Sequence, residues 1–221
     1  MTVIRRVFRT DRAEAVWEEA EKAFAVGDAV TALRIFSGLA ERGEWLAYVE
    51  IGNLLEMGTG GVTKDLDGAL HWYRKAIFES DDPNAHFAMA RLYWNGKDLS
   101  KDFERASHHA QKALGAQKPY NLAEHYRPMA YVMLGTMYSE GLGVPKNIEK
   151  ARAVLKEGAT AGFIWPMFEL SKLELRCWHF VTALKLRLEA ASLGGRIYAR
   201  DPNDVRLIGT NLLHVKKQWN S

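Results

Sequence analysis

Small residues return along this chain at a fixed set of offsets, and that recurrence restricts the fold more than any other feature. Ala32, Ala69, Ala106, Ala151 and Ala183 anchor five segments. Seven residues after them stand Leu39, Ala76, Ala113, Gly158 and Ala190, and eight after stand Ala40, Ile77, Leu114, Ala159 and Ala191. The anchors are 37, 37, 45 and 32 residues apart, which are helix-pair lengths with insertions falling in loops. A second register covers the helix before each anchor. It aligns Ala20, Ile51, Met89, Leu134 and Leu170, followed at once by Glu21, Gly52, Ala90, Gly135 and Ser171. Small residues let one helix approach the backbone of its partner, and the larger residue a turn on fills the gap between pairs. No pair can bury its apolar faces alone, so stacking has to supply the core.

Apolar residues recur at three- and four-residue spacing almost throughout, which is the helical period. Helix starts are marked by Asp82-Pro83 and Asp201-Pro202, each a cap residue before a proline, and by Asn121 with Glu124 at capping-box spacing. Gly27, Gly43, Gly58, Gly96, Gly141, Gly162 and Gly194 mark stops. The pattern predicts helices over 11–26 and 29–42, 45–57 and 66–79, 83–95 and 103–115, 122–140 and 148–161, and 164–176 and 179–193. A last helix from Pro202 to about Lys216 carries Val205, Ile208, Leu212 and Val215 on one face. It reads as a cap on the final pair, with a docking helix for another chain as the alternative.

Two segments carry a family signature. Leu134-Gly135-Thr136-Met137-Tyr138, the loop Gly141-Leu142-Gly143-Val144-Pro145-Lys146-Asn147 and Lys150-Ala151 resemble a Sel1-like repeat. So do Ile51-Gly52, the Gly58–Asp65 loop, and Ala69 through Trp72-Tyr73 to Lys75-Ala76. The unit from Ala85 to Ala113 keeps Gly96 and Lys101-Asp102 but lacks the second loop glycine. The first and last units have short loops and look more like tetratricopeptide repeats. The resemblance covers roughly residues 14 to 194. It implies an all-α fold, a right-handed α-α superhelix (solenoid) of about five helix pairs with a C-terminal capping helix. The expected organisation is a basic segment over 1–10, the repeat array over 11–200, and a capping helix and tail over 201–221.

Composition narrows the function classes. Thirty basic and 27 acidic residues give a net charge of +3, a near-balance that argues against a nucleic-acid binder held by a strong overall field. The single cysteine, Cys177, excludes an internal disulfide framework. Arg5, Arg6 and Arg9 precede no apolar stretch of the secretory type, and no run reaches the roughly 18 apolar residues of a membrane span. The expectation is a soluble, cytoplasmic domain without membrane insertion; vesicle or nucleic-acid contact through the three arginines has only a small electrostatic footprint.

Catalytic motifs do not emerge. His71, His86, His108, His109, His125, His179 and His214 include no pair with a carboxylate at a recognised metal-ligand spacing. Gly58-Thr59-Gly60-Gly61-Val62-Thr63-Lys64 has the glycines of a phosphate loop. It lacks the Gly-Lys-Ser/Thr ending and follows a helix, so a helix-pair loop using glycine's φ freedom explains it. Carboxylate pairs such as Glu18-Glu19 and Asp81-Asp82 read as solvated or capping groups. No cofactor is expected. The alternative is a helical-repeat enzyme or small-ligand-binding protein, with a polar site where His86, Glu124 or His125 meet, beside the insert near residues 115–126.

The favoured function is a non-enzymatic protein-interaction module, an adaptor or an inhibitor or immunity-type protein. The resemblance implies that the first helix of each pair lines the concave side. Helix angles counted from Val16, Ala47, Ala85, Ala130 and Pro166 select the residues two, six and nine positions on. These supply Asn53, Phe87, Arg91, Trp94, Val132, Thr136, Phe168 and Lys172 as the candidate contacts for a protein or peptide. Phe87, Trp94 and Phe168 are the expected aromatic anchors, and Arg91 and Lys172 would meet partner carboxylates. The competing possibility is that curvature buries the position-two residues, Val49, Phe87, Val132 and Phe168, as plain core. The partner's identity and the oligomeric state stay open.

Overall fold

A computed structural model describes residues 11–97, 99–115 and 126–207. Among them there are ten α-helices and no strand: α1 Asp11–Ala25, α2 Ala29–Glu41, α3 Leu46–Met57, α4 Leu66–Ser80, α5 Pro83–Asn95, α6 Phe103–Gly115, α7 Arg127–Glu140, α8 Ile148–Thr160, α9 Ile164–Arg176 and α10 Phe180–Arg200. A single 3-10 turn, Val205–Leu207, follows. Two compact units emerge, one holding α1–α5 and the other α6–α10 with the final turn. In the first unit each helix packs on the next, from α1 on α2 to α4 on α5. In the second, α7 packs on α8, α8 on α9 and α9 on α10, while α7 also touches α9.

Local chemistry sets the ends. Asp28, Asp65, Asp82, Asp102 and Asn147 each accept a backbone N–H of the first turn, from Thr31, Gly68, Ala85, Arg105 and Lys150 at 2.9–3.2 Å. Each such cap stabilises its helix by about 1 kcal/mol. Gly58, Gly96 and Gly141 end α3, α5 and α7 in the left-handed conformation. The same three face a lysine at the far side of their loops: a Cβ there would lie 2.5 Å from Lys64 Cβ, 2.6 Å from Lys101 Cβ and 3.2 Å from Lys146 Cβ.

The second loop glycine has another task. A Cβ on Gly60 would lie 2.6 Å from the Gly27 carbonyl oxygen, at the start of α2. Its counterpart Gly143 abuts the backbone of Phe103 and Glu104, at the start of α6. In both units this glycine therefore lets the loop of one helix pair lie against the helix start of the pair before it.

The helix register holds in the core. Gly52 of α3 faces Tyr73 of α4, and Gly135 of α7 faces Leu155 of α8; Tyr73 and Leu155 stand at the same offset after Ala69 and Ala151. In the first unit Trp17 and Phe36 pack edge to face at 4.9 Å between centroids, both buried.

Two expectations change. Gly194 does not stop α10, which continues to Arg200: Gly194 is buried on the stripe that carries Ala183, Ala190 and Ile197, so helix packing holds it where a free glycine would end the turn. Asp201-Pro202 does not start a helix. Asp201 closes α10, its carboxylate accepts the Asn203 N–H at 2.9 Å, and Val205–Leu207 is only a short 3-10 turn. The rest of the expected capping helix, from residue 208, lies outside the described residues, as do the 1–10 segment, the Asn121/Glu124 capping box and the start of the expected 122–140 helix. Within the described residues α7 begins at Arg127.

Candidate interaction surface

The row of candidate contacts in the first unit is built on α3 and α5, with α4 reaching in behind it. Asn53 and Glu56 stand one turn apart on α3, and Arg91 lies on α5. The Tyr73 hydroxyl, from α4, lies 2.9 Å from Asn53 Oδ1 and 2.9 Å from Glu56 Oε2. Its single proton serves these two acceptors in turn or shared. Arg91 Nη2 donates to the same Glu56 oxygen at 2.6 Å, and Asn53 Nδ2 donates to Glu50 at 3.4 Å. The Glu56 side chain keeps 10% of its surface and Arg91 26%, so this is a half-desolvated charge pair worth more than an exposed one. Burial, reinforced by the Glu56 carboxylate, raises the Tyr73 phenol well above its ordinary value, so it stays a donor at all working pH.

Position two behaves as core here. Val49 and Phe87 are buried, Phe87 with 7% exposure, so Phe87 is not the exposed aromatic anchor expected of it. Trp94 is half-buried, on the same helix as Arg91 and at its C-terminal end. Arg91, expected to meet a partner's carboxylate, already has one in Glu56.

In the second unit Val132 is half-buried against the cluster of Ala151, Leu155, Ala159, Leu170 and Leu173. Phe168 is half-buried against Ile164, Ala190, Ile197 and Leu207. Both are core on one side and surface on the other. Thr136 is half-buried, and its carbonyl accepts the Ser139 hydroxyl at 3.1 Å. Lys172 is exposed and donates to Glu169 Oε1 at 2.7 Å, a contact one helical turn long.

The sequence reading missed Tyr73. Its offset after Ala69 is filled by Phe36 after Ala32 and by Leu155 after Ala151, so a hydroxyl at a core position was the signal: a buried phenol requires partners. The reading also missed a second network. Arg152 Nε donates to Glu174 Oε1 at 2.6 Å and its Nη1 to Glu149 Oε1 at 2.6 Å, while His179 Nδ1 lies 2.6 Å from Glu174 Oε2. Burial raises the Glu174 carboxyl, but the hydrogen bonds from Arg152 and His179 outweigh it and hold the group below its usual value. This network ties α8 to α9 and to the start of α10.

Of the residues offered for an enzymatic site, Glu124 and His125 lie outside the described residues. His86 is buried, with Nε2 2.9 Å from Asp81 Oδ1. Among the described residues no group of three or more His, Cys, Asp or Glu side chains could hold a metal ion, and no helix is long and apolar enough to cross a membrane.

The sequence model of the Sel1 repeat matches residues 45–77, 83–114 and 128–163, which correspond to the pairs α3–α4, α5–α6 and α7–α8. The chain belongs to the Sel1 repeat family. The crystal structure of an Oxalobacter formigenes Sel1 repeat protein matches with a TM-score of 0.66 and 25% identity, over 84% of this chain and 74% of that one. A protective antigen of uropathogenic Escherichia coli, displaying an SLR fold, matches with a TM-score of 0.69 and 20% identity, over 82% of this chain and 38% of the antigen. These matches place the chain in the helical-solenoid fold class. An uncharacterised protein of Neisseria meningitidis serogroup B is 31% identical over 135 residues, 61% of this chain. The match spans 26% of the length of that relative. Sel1 arrays are as a rule protein-interaction folds, because stacked helix pairs offer an extended surface.

Proposed function

We propose that this Sel1 repeat protein is a non-enzymatic interaction module, an adaptor or an inhibitor or immunity-type protein. It holds a partner protein or peptide on a face that first helices form within a unit, α3 and α5 in the first and α7 and α9 in the second. The observation that carries this is the row on α3 and α5, where Asn53, Glu56 and Arg91 are joined through the Tyr73 hydroxyl in one hydrogen-bonded set and Trp94, half-buried, stands three residues after Arg91. A row in which charge and amide groups already hold one another is pre-organised, so docking costs little side-chain entropy. Trp94 supplies the aromatic surface of an anchor. In the second unit the half-exposed edges of Val132 and Phe168, with Thr136 and Lys172, offer a mixed apolar and polar surface of the same type. The polarity of both rows suits a segment that presents main-chain amides and carboxylates together with one or two apolar side chains.

The test is affinity capture from native cells with the wild-type chain, Trp94→Ala and Lys172→Glu, each shown to be folded by its far-UV circular dichroism and melting. The expected result is one partner recovered by wild type and reduced about tenfold by either variant, the loss of one anchor. Equal recovery of that partner by wild type and both folded variants would sink the assignment.

A further inference from the structure

Among the described residues α9 and the Val205–Leu207 turn pack on α10, and they leave one apolar face of it open. Counted at ~100° per residue, Val181, Leu184, Leu188, Ala191, Gly195 and Tyr198 fall within about 100° of arc, away from the buried stripe of Ala183, Ala190 and Ile197. The face runs ~25 Å along the helix. Val181 is 84% exposed, Leu184 60% and Leu188 64%. Ala191 and Gly195 are exposed as well. A Cβ on Gly195 would meet nothing within 4 Å, so packing within the chain does not require a glycine there, although glycine weakens a helix interior.

The corresponding positions are buried in α2, α4 and α8. Leu70 of α4 stands one residue after its anchor, as Leu184 does, and is buried. Ala40 of α2 and Ala159 of α8 stand eight residues after theirs, as Ala191 does, and are buried too. The first helix of the next pair packs on each of these: α3 on α2, α5 on α4 and α9 on α8. The register of α10 is thus one that elsewhere in the chain receives a helix. Ala191 and Gly195 fit that occupant, because small residues let a second helix backbone come close. A lipid surface would instead gain from large side chains at those two places.

Charge defines the partner. Lys185 and Arg196 flank the face on one side and Arg187 on the other, while Glu189, the one acidic residue of α10, lies further round. Among the described residues none of these three cations has a carboxylate in salt-bridge reach. Arg187 Nε donates to the Ser171 hydroxyl at 3.1 Å and Arg196 Nε to the Ser192 carbonyl at 3.4 Å. Where α9 docks on α8, a cation of the receiving helix is answered by an acid of the incoming one: Arg152 Nε lies 2.6 Å from Glu174 Oε1. We propose that the open face of α10 docks an amphipathic helix of another protein, with an apolar stripe against Leu184 and Leu188 and Glu or Asp along both flanks. A second copy of α10 would set like charges side by side, because Lys185, Arg187, Arg196 and Arg200 outnumber Glu189. Residues 208–221 carry Lys216 and Lys217 and no acidic residue, so the same charge count argues against them as the occupant.

The experiment uses the full chain as bait. The probes are displayed helices of about 18 residues, ~27 Å long, with a fixed leucine stripe and flanks randomised over Glu, Gln and Lys. Selection on wild type is countered by selection on Leu188→Asp, shown to be folded by circular dichroism. The expected result is a set of helices with Glu on both flanks. Each should bind about tenfold more weakly to Leu188→Asp and to Lys185→Glu/Arg196→Glu, and as well as before to Trp94→Ala. Replacing the flanking Glu of the selected helix by Lys should restore binding to the Lys185→Glu/Arg196→Glu chain. Flanks without a preference for Glu, or selected helices that bind both α10 variants as they bind wild type, would overturn the proposal. A wild-type dimer in sedimentation that Leu188→Asp dissociates would assign the face to a second copy. Binding to phosphatidylserine vesicles that Leu188→Asp abolishes would assign it to a membrane. Acidic helices recovered only after residues 208–221 are deleted would assign it to that segment. Each of these three results overturns the proposal as well.

Discussion

Gly52 and Tyr73 meet ring against backbone: a methyl group on Gly52 would lie 2.5 Å from Tyr73 Cε1 and 3.0 Å from Cζ. The ring cannot withdraw, because its hydroxyl is held by Asn53 and Glu56 on the same helix as the glycine. One small residue therefore sets both the approach of α3 to α4 and the position of the polar row.

Gly52→Ala should destabilise the protein by about 2 kcal/mol, the cost of overpacking a closed core, despite alanine's better helix propensity. Urea titration measures it. Gly135→Ala, against Leu155 at 2.7 Å, provides the parallel in the second unit, where an aliphatic side chain can rotate away; a smaller loss is expected. A gain in stability at Gly52 would show that the ring relaxes freely.

The second loop glycine gives a sharper case. Gly143 has φ +66° and touches the backbone of Phe103 and Glu104, so Gly143→Ala meets both conformational strain and a neighbour that cannot rotate away. The expected loss is about 3 kcal/mol, measured by chemical denaturation. Gly27→Ala is the control, because φ is +86° there but no atom lies within 4 Å of the added Cβ. It should lose only the strain, about 1 kcal/mol.

Tyr73→Phe removes a donor shared by Asn53 and Glu56 while keeping the ring against Gly52. The expected cost is about 1–2 kcal/mol, with helical content unchanged. Arg91→Met also weakens the row by leaving Glu56 without its guanidinium. The two substitutions meet at one carboxylate oxygen, so their effects on the midpoint should not add. Strict additivity in a double-mutant cycle would separate the two contacts.

Acid should act through Glu174. Its folded-state pKa lies below the ordinary 4.5, so its stabilisation is complete above the unfolded value and is lost as pH falls through the folded one. At neutral pH, Glu174→Gln leaves Arg152 and His179 without that carboxylate and costs about 3 kcal/mol. The wild-type advantage over Glu174→Gln, read from urea midpoints, should shrink steadily below about pH 4.5. An advantage independent of pH would mean that the carboxylate's charge contributes nothing.

Much of the architecture was legible because its causes are local. Helix ends follow from Asp28, Asp82 and Asn147 as caps and from Gly58 and Gly141 as left-handed stops, each acting within a few residues along the chain. The repeat follows from small residues at fixed offsets, since a helix buries one face whatever lies against it. What lies against it is decided by tertiary structure alone. Phe87 is buried although its register position lies off the core of its own pair, and Arg91 is paired because Glu56, 35 residues earlier, turns toward it across α3 and α5. Gly194 continues a helix because its face is buried, although the same residue type ends α7 at Gly141. Periodicity names the face a side chain leaves from; only the packed neighbour determines whether that side chain meets core, partner or water.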